Sequence, residues 1–148
     1  MTACTTEAPR AAEGLARILL VNDDPASRLA LQAVLRAGGY AVDSAASAAE
    51  AIAKLDEGEY ELVLTDLRME TPEAGYRVLA HARIVEYRPA AALLQAFRDE
   101  SPAEPDAIAD ESLLIAPENL PELLAKVADL VAARATRRAA RALRHSGY

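Results

Sequence analysis

Acidic and amide side chains follow two short apolar segments of this chain, and their types and spacing could support chemistry. Asp66 follows the run 62–65, and the triplet Asn-Asp-Asp at 22–24 follows the run 17–21. An apolar run without alternation is typical of a strand buried on both faces of a parallel sheet. Open α/β sheets bind ligands at the carboxyl ends of their strands. Asp66 is therefore the first candidate for chemistry.

Two such strands, lying side by side, would bring three or four carboxyl and amide groups into one crevice. Like charges at close range are unfavourable unless a cation neutralises them. Oxygen ligands suit Mg²⁺, which takes one or two carboxylates and keeps several waters. The pattern therefore favours a magnesium site in this crevice.

The composition of the chain argues against several other classes of function. The 148 residues are 52% hydrophobic and 26% charged, as expected for one globular domain. A net charge of −7 argues against a nucleic-acid binder by bulk electrostatics. The single cysteine, Cys4, has no internal disulfide partner. Because no membrane-length apolar run or signal-type core is present, we expect a cytoplasmic protein.

Strand and helix patterns alternate along the chain with short connections, which predicts a parallel sheet with helices on both faces. We expect a disordered N-terminal arm at 1–15, a folded domain at 16–133 and a basic helical extension at 134–148. The segment 98–110 contains Pro102 and Pro105 and one large apolar residue, Ile108. Proline disrupts a helix interior, so a helix there would be short, displaced or mobile.

The C-terminal extension carries five arginines and no acid. The other residues together carry −12, since the whole chain carries −7 and this segment +5. The favoured interpretation is a solvated helix end. Docking to an acidic protein surface, such as a second copy of this domain, and nucleic-acid contact are the alternatives.

Two motifs carry a family resemblance. Residues 18–25 read Ile-Leu-Leu-Val-Asn-Asp-Asp-Pro, and residues 62–69 read Leu-Val-Leu-Thr-Asp-Leu-Arg-Met. With these motifs, the chain from about 17 to 130 resembles the receiver domain of two-component response regulators. The resemblance implies a doubly wound, flavodoxin-like fold with a five-stranded parallel sheet in the order 2-1-3-4-5. Its fourth helix would be degraded or mobile in this chain.

The resemblance also implies roles for individual residues. Asp66 matches the phospho-accepting aspartate of the family. Asp23 matches a metal ligand, and Arg68 matches the residue whose backbone carbonyl also binds the metal. Asn22 stands where the family has a first acid, and it would support a metal-bound water. A weakly bound Mg²⁺ is the expected cofactor, held by Asp23, Asp66 and the Arg68 carbonyl.

Three further positions depart from the family pattern. Gln95 stands at the hydroxyl position, Ala116 at the lysine position and Leu113 at the aromatic position. Loss of the lysine removes a cation and its hydrogen bonds to a phosphoryl group. The chain is therefore expected to be an atypical receiver that accepts a phosphoryl group on Asp66, or else a phosphorylation-independent interaction or dimerisation module.

The resemblance implies signalling partners rather than substrates. These are a histidine kinase or phosphotransfer protein, a downstream protein target and, in one alternative, a second copy of the chain. Neither nucleic acid nor a membrane is expected as a partner. A flavodoxin-like enzyme is disfavoured, because the acidic residues after the first strand would repel an anion. His81 and His145 have no carboxylate or cysteine pattern around them in the sequence that suggests catalysis or a metal site.

Overall fold

The computed structural model of the protein describes residues 16–66, 69, 71–96, 111–115 and 120–147. Strands and helices alternate along this part of the chain. Their bounds are β1 (Arg17–Val21), α1 (Pro25–Ala37), β2 (Ala41–Ala45), α2 (Ala48–Glu57), β3 (Leu62–Asp66), α3 (Ala74–Ile84), β4 (Ala90–Ala96), β5 (Glu111–Ile115) and α4 (Leu120–Gly147).

All the strand pairs are parallel, and the order across the sheet is β2-β1-β3-β4-β5. The predicted α/β architecture with a parallel sheet is confirmed. The expectation of a degraded or mobile helix concerns residues 98–110, which lie outside the described chain.

The central strands are covered on both faces, which explains their unbroken apolar sequences. In β1, Ile18 and Leu20 point to one face and Leu19 and Val21 to the other, and all four are fully buried. The first face packs against α1 and α4, and the second packs against α2 and α3. Alternate residues of a strand point to opposite faces, so a strand between two helical layers needs apolar residues at every position.

Helix α1 begins with an aspartate cap followed by a proline, a pair that favours the start of a helix. Asp24 is its N-cap, and the Ser27 backbone N–H donates to Asp24 Oδ2 at 2.9 Å. Pro25 occupies the first helical position, where its missing N–H leaves no bond unmade. The helix ends at Ala37 with Gly38 as its C-cap, and Gly39 follows with a φ of 101°. Glycine adopts this left-handed conformation without a Cβ penalty.

Helix α4 is one continuous helix that runs through the expected boundary between residues 133 and 134. Arg134 is only 4% exposed, so its prediction as part of a solvated helix end is wrong. Residues 135–140, which follow it on the helix, are all exposed. Within the described ranges, no helix is long and apolar enough to cross a membrane.

A cluster of polar side chains lies towards the amino-terminal end of the sheet, near β1 and β2. Asp43 accepts hydrogen bonds from Tyr60 Oη at 2.7 Å and from an Arg17 Nη at 2.8 Å, and the Arg17 guanidinium lies 4.7 Å from the Tyr60 ring centre. Burial by itself raises the pKa of the Asp43 carboxyl, but these two hydrogen bonds and the attraction of the Arg17 and Lys54 charges together outweigh it. The pKa of Asp43 therefore lies below its ordinary value of 3.8.

Tyr60→Phe is expected to lower the free energy of unfolding by about 1 kcal/mol at neutral pH, because Asp43 loses a hydrogen bond. A carboxyl whose pKa is lowered by folding stabilises the fold above its unfolded pKa and loses that contribution as the pH falls through its folded pKa. The effect of the substitution should therefore shrink below about pH 4. Urea unfolding at neutral and acidic pH measures both values.

Tyr87→Phe is the matched control, because Tyr87 Oη donates at 2.8 Å to the Leu55 carbonyl, which does not titrate. Its effect on the free energy of unfolding should be similar at neutral pH and should persist in acid. Equal acid dependence in the two variants would contradict the role assigned to Asp43.

Candidate functional site at the carboxyl edge of the sheet

The two strands that carry the candidate residues are neighbours in the sheet. Val21 of β1 is the register partner of Thr65 of β3, so the next residues, Asn22 and Asp66, leave the sheet at the same edge. Strand β2 pairs with one side of β1 and β3 pairs with the other, so the direction of the strand order reverses at β1. The carboxyl ends of β1 and β3 therefore form a topological switch point. Ligands of open α/β sheets bind at such points.

Asn22 is buried and is held by three hydrogen bonds. Its N–H donates to the Ala45 carbonyl at 3.0 Å, and its own carbonyl accepts from an Arg28 Nη at 2.8 Å. The side-chain Oδ1 accepts from the Asp24 N–H at 2.8 Å. This last bond closes an Asx turn, in which the side chain binds the backbone two residues ahead. Asn22 therefore shapes the turn from β1 into α1.

The two aspartates after Asn22 have different surroundings. The Asp24 carboxylate caps α1, and its hydrogen bonds with Ser27 lower the pKa of Asp24 below 3.8. Asp23 is exposed, and within the described ranges it makes no hydrogen bond or ion pair. Of the two carboxylates, Asp23 is thus the one that the local fold leaves for a ligand.

Asp66 ends β3 and is half-buried. The preceding residue, Thr65, is fully buried and donates through Oγ1 to the Asp66 carbonyl at 2.8 Å. After Asp66 the chain turns, and the Met69 N–H donates to the Thr71 carbonyl at 3.1 Å. The Asp66 backbone is thereby fixed by strand pairing on one side and by its own neighbour on the other.

The structure brings Asn22, Asp23 and Asp66 to one edge of the sheet. Gln95 reaches the same edge on β4, since it follows Leu94, the register partner of Asp66. The Gln95 side chain, Arg68 and Ala116 lie outside the described part of the chain, and so does the side chain of Leu113. Their expected roles stay predictions.

Two contacts were missed at the sequence level. One is the hydrogen bond that Arg28 donates to the Asn22 carbonyl. The Asx turn beside it has a sequence signal, which is the Asn-x-Asp spacing. The other is His81 Nε2, which lies 2.8 Å from Asp56 Oδ1. These two residues are on different helices and 25 positions apart, so no local pattern could have paired them.

The donor set at this edge fits Mg²⁺ rather than a transition metal. Among the residues that the structure describes, no three His, Cys, Asp or Glu side chains are grouped for metal binding. The edge instead offers two carboxylates, from Asp23 and Asp66, with the Asn22 amide beside them. Mg²⁺ is commonly held by one or two carboxylates together with waters and phosphate oxygens.

Residues 18–108, more than half of the chain, match the family model described as the response regulator receiver domain. A curated relative, the gliding motility regulatory protein of Myxococcus xanthus, is 42% identical over 64 residues. That match spans 43% of this chain and 8% of the relative.

Solved structures show the same architecture. The response regulator TrrA of Thermotoga maritima, in complex with Mg²⁺-BeF, is 31% identical with a TM-score of 0.69, covering 78% of this chain and 99% of that chain. TrrA also matches in its complex with the histidine kinase ThkA, with a TM-score of 0.68. A putative response regulator from Chloroflexus aurantiacus is 26% identical with a TM-score of 0.70, covering 80% of this chain and 98% of that chain.

Proposed function

This chain belongs to the family of response regulator receiver domains, and we propose that it accepts a phosphoryl group on Asp66 and passes the signal on by protein–protein contact. The donor would be the phosphohistidine of a histidine kinase or phosphotransfer protein. The observation that carries the proposal is the placement of Asp66 beside the exposed Asp23 at the β1–β3 switch point. In this role the chain is a signalling receiver rather than an enzyme, and any phosphoryl transfer to itself or autodephosphorylation is incidental.

Each residue of the candidate site has one role in phosphoryl transfer. A carboxylate oxygen of Asp66 forms a bond to phosphorus while the bond from phosphorus to the donor histidine nitrogen breaks. That nitrogen keeps the electron pair, and the ring remains with the donor protein. Asp23 and Asp66 would hold Mg²⁺ with the Arg68 carbonyl, and Asn22 would orient a metal-bound water. Bound Mg²⁺ neutralises negative charge on the acceptor and on the phosphoryl oxygens.

Support for this assignment comes from relatives above 30% identity. TrrA is described in a complex with Mg²⁺-BeF and in a complex with its histidine kinase. Because Asp23 and Asp66 match the acids of the family motifs, the same cofactor and the same class of partner are the natural proposal for this chain. The downstream protein target would bind the surface that responds to the state of Asp66.

A phosphorylation-independent interaction module is the second candidate. Asn22 favours it, because its Oδ1 already closes the Asx turn and the residue brings no negative charge to the metal. Gln95 and Ala116 favour it as well, because the hydroxyl and the lysine of the family pattern are replaced. The two candidates differ in one observable property, namely whether Mg²⁺ and a phosphoryl mimic change the protein's conformation.

Asp23→Asn is expected to weaken Mg²⁺ binding about tenfold or more, because one of two carboxylate ligands is lost. The measurement is an amide NMR titration with Mg²⁺, followed by beryllofluoride as the phosphoryl mimic. In the wild type the largest shifts should lie at the ends of β1 and β3.

Asp24→Asn is the matched control, since it removes a neighbouring carboxylate whose role is to cap α1. Asparagine caps helices about as well as aspartate, so the fold is retained. Equal weakening of Mg²⁺ binding in both variants would show a nonspecific effect of local charge. No Mg²⁺ response in the wild type would favour the phosphorylation-independent module.

A further inference from the structure

A buried cation lies at the opposite edge of the sheet from Asp66. Arg134 of α4 is 4% exposed. Its Nε donates to the Arg88 carbonyl at 3.0 Å, and one Nη donates to the Tyr87 carbonyl at 2.7 Å. Within the described ranges no carboxylate lies at ion-pair distance from this guanidinium. Buried charges in proteins are normally paired with an opposite charge, whereas two backbone carbonyls hold the Arg134 guanidinium.

Arg134 lines a cleft of about 260 Å³ between α3, the loop after it and α4. The lining is strongly basic and contains no acidic residue: Ala82, Arg83, Arg88, Pro89, Arg134, Arg137 and Arg141. Five cations in one concave site contrast with the net charge of −7 for the whole chain. We define this surface as the arginine cleft.

Three elements bring the arginines together. Residues 134, 137 and 141 are spaced three and four apart on α4 and therefore share one face of the helix. Arg83 lies in the last turn of α3. Arg88 lies in the connecting loop with a φ of 47°, a left-handed conformation that is unfavourable for a residue with a Cβ. In this conformation its carbonyl accepts the bond from Arg134, which ties the loop to α4.

Charged side chains of both signs surround Arg134. Burial lowers the pKa of Arg134, and the neighbouring cations Arg138 and Arg137 lower it further. Glu61 and Glu59 oppose this shift through longer-range attraction. The net direction of the shift is downward, and burial is its largest cause.

We propose that the arginine cleft binds a small phosphate-bearing anion. Arginine presents a planar fork of donors that matches phosphate oxygens in bidentate geometry. The cleft has a volume of about 260 Å³ and is open to solvent on one side. That space suits a pyrophosphate-sized group, whereas pockets that enclose drug-sized ligands run from about 300 to 1,000 Å³. A concave site of this size also fits a compact anion better than a flat acidic protein surface.

The arginine cleft is separate from the candidate phosphoacceptor. It lies where β4 begins, whereas Asp66 lies where β3 ends, and the two strands are parallel neighbours. Five strand residues span about 17 Å, so the two sites are on opposite edges of the sheet. Arg134, Arg137 and Arg141 also lie beyond residues 18–108, the region that matches the family model. The proposal therefore stands independently of phosphoryl transfer to Asp66.

Isothermal titration with inorganic pyrophosphate, at constant ionic strength and without Mg²⁺, tests the proposal. The wild type should bind one equivalent, and Arg137→Glu should weaken the affinity about tenfold or more through the loss of charge-assisted hydrogen bonds. Arg77→Glu makes the same charge change on α3 outside the cleft lining and should leave the affinity within about twofold. Asp66→Asn should bind like the wild type, which separates this site from the phosphoacceptor.

Three results would overturn the proposal. The first is no heat of binding at millimolar pyrophosphate in the wild type. The second is equal weakening by the Arg137 and Arg77 variants, which would reveal general charge attraction. The third is self-association of the wild type in sedimentation that Arg137→Glu abolishes and pyrophosphate does not affect, which would identify the surface as a contact between copies. Thermal unfolding of each variant verifies that it remains folded.

Discussion

Asp66→Asn is expected to abolish phosphorylation by acetyl phosphate, the largest change that any single substitution should cause in this protein. The asparagine amide has the size of the carboxylate but lacks the anionic oxygen that would attack phosphorus. Intact-protein mass spectrometry measures the gain of one phosphoryl group, and its loss on treatment with hydroxylamine identifies an acyl phosphate. The wild type should show the gain, and Asp66→Asn should not.

Asp24→Asn again serves as the matched control, because it changes a neighbouring aspartate whose carboxylate caps α1. This variant should be phosphorylated like the wild type. Ala116→Lys restores the cation of the family pattern and should raise the yield of phosphoprotein, since a lysine can bind the phosphoryl oxygens. Phosphorylation that persists in Asp66→Asn would place the acceptor elsewhere, and an unreactive wild type would favour the phosphorylation-independent module.

Leu64→Ala is expected to lower the free energy of unfolding by about 3 kcal/mol, within the range of 2–5 kcal/mol that buried leucines give. Leu64 is 1% exposed on the central strand β3 and packs in the core beneath α1 and α4. The substitution removes buried apolar surface and leaves a cavity that the rigid sheet cannot close. Urea unfolding followed by far-UV circular dichroism measures the change.

Leu29→Ala is the comparison for this prediction, because Leu29 lies on α1 with 65% of its surface exposed. It should change the free energy of unfolding by less than about 1 kcal/mol. Leu20 is the register partner of Leu64 and belongs to the same core cluster, so the effects of Leu20→Ala and Leu64→Ala should not add. Similar effects of the Leu64 and Leu29 substitutions would contradict the assignment of β3 to the centre of the core.

These two expectations are linked through β3. The strand that holds Asp66 at the edge of the sheet contributes side chains to both core faces. An acceptor that must be positioned against a metal and an incoming phosphoryl group gains from such a rigid support. The turn after β1 is also held by its own hydrogen bonds. The side-chain oxygens of Asn22 and Asp24 accept from backbone N–H groups, whereas Asp23 remains exposed.

The amino-acid sequence by itself determined the elements that position the candidate site. The unbroken apolar runs before Asn22 and Asp66 indicated buried parallel strands, and the Asp24-Pro25 pair indicated the start of α1. These signals are local, because burial on both faces and helix capping constrain residues only a few positions apart. The placement of Asp23 and Asp66 at one edge followed from the handed, parallel topology that such alternation imposes.

Only the tertiary structure determined which charged side chains are buried and which groups they contact. Arg134 was expected on a solvated helix end, but it packs against carbonyls 46 and 47 positions away. The Asp43–Tyr60 bond and the contact between His81 and Asp56 also join distant parts of the chain. A charged side chain carries no periodic signal for its partner, since its environment depends on how two elements dock. The helix stripe of Arg134, Arg137 and Arg141 was visible in the sequence, whereas the arginine cleft exists only because α4 lies against the loop after α3.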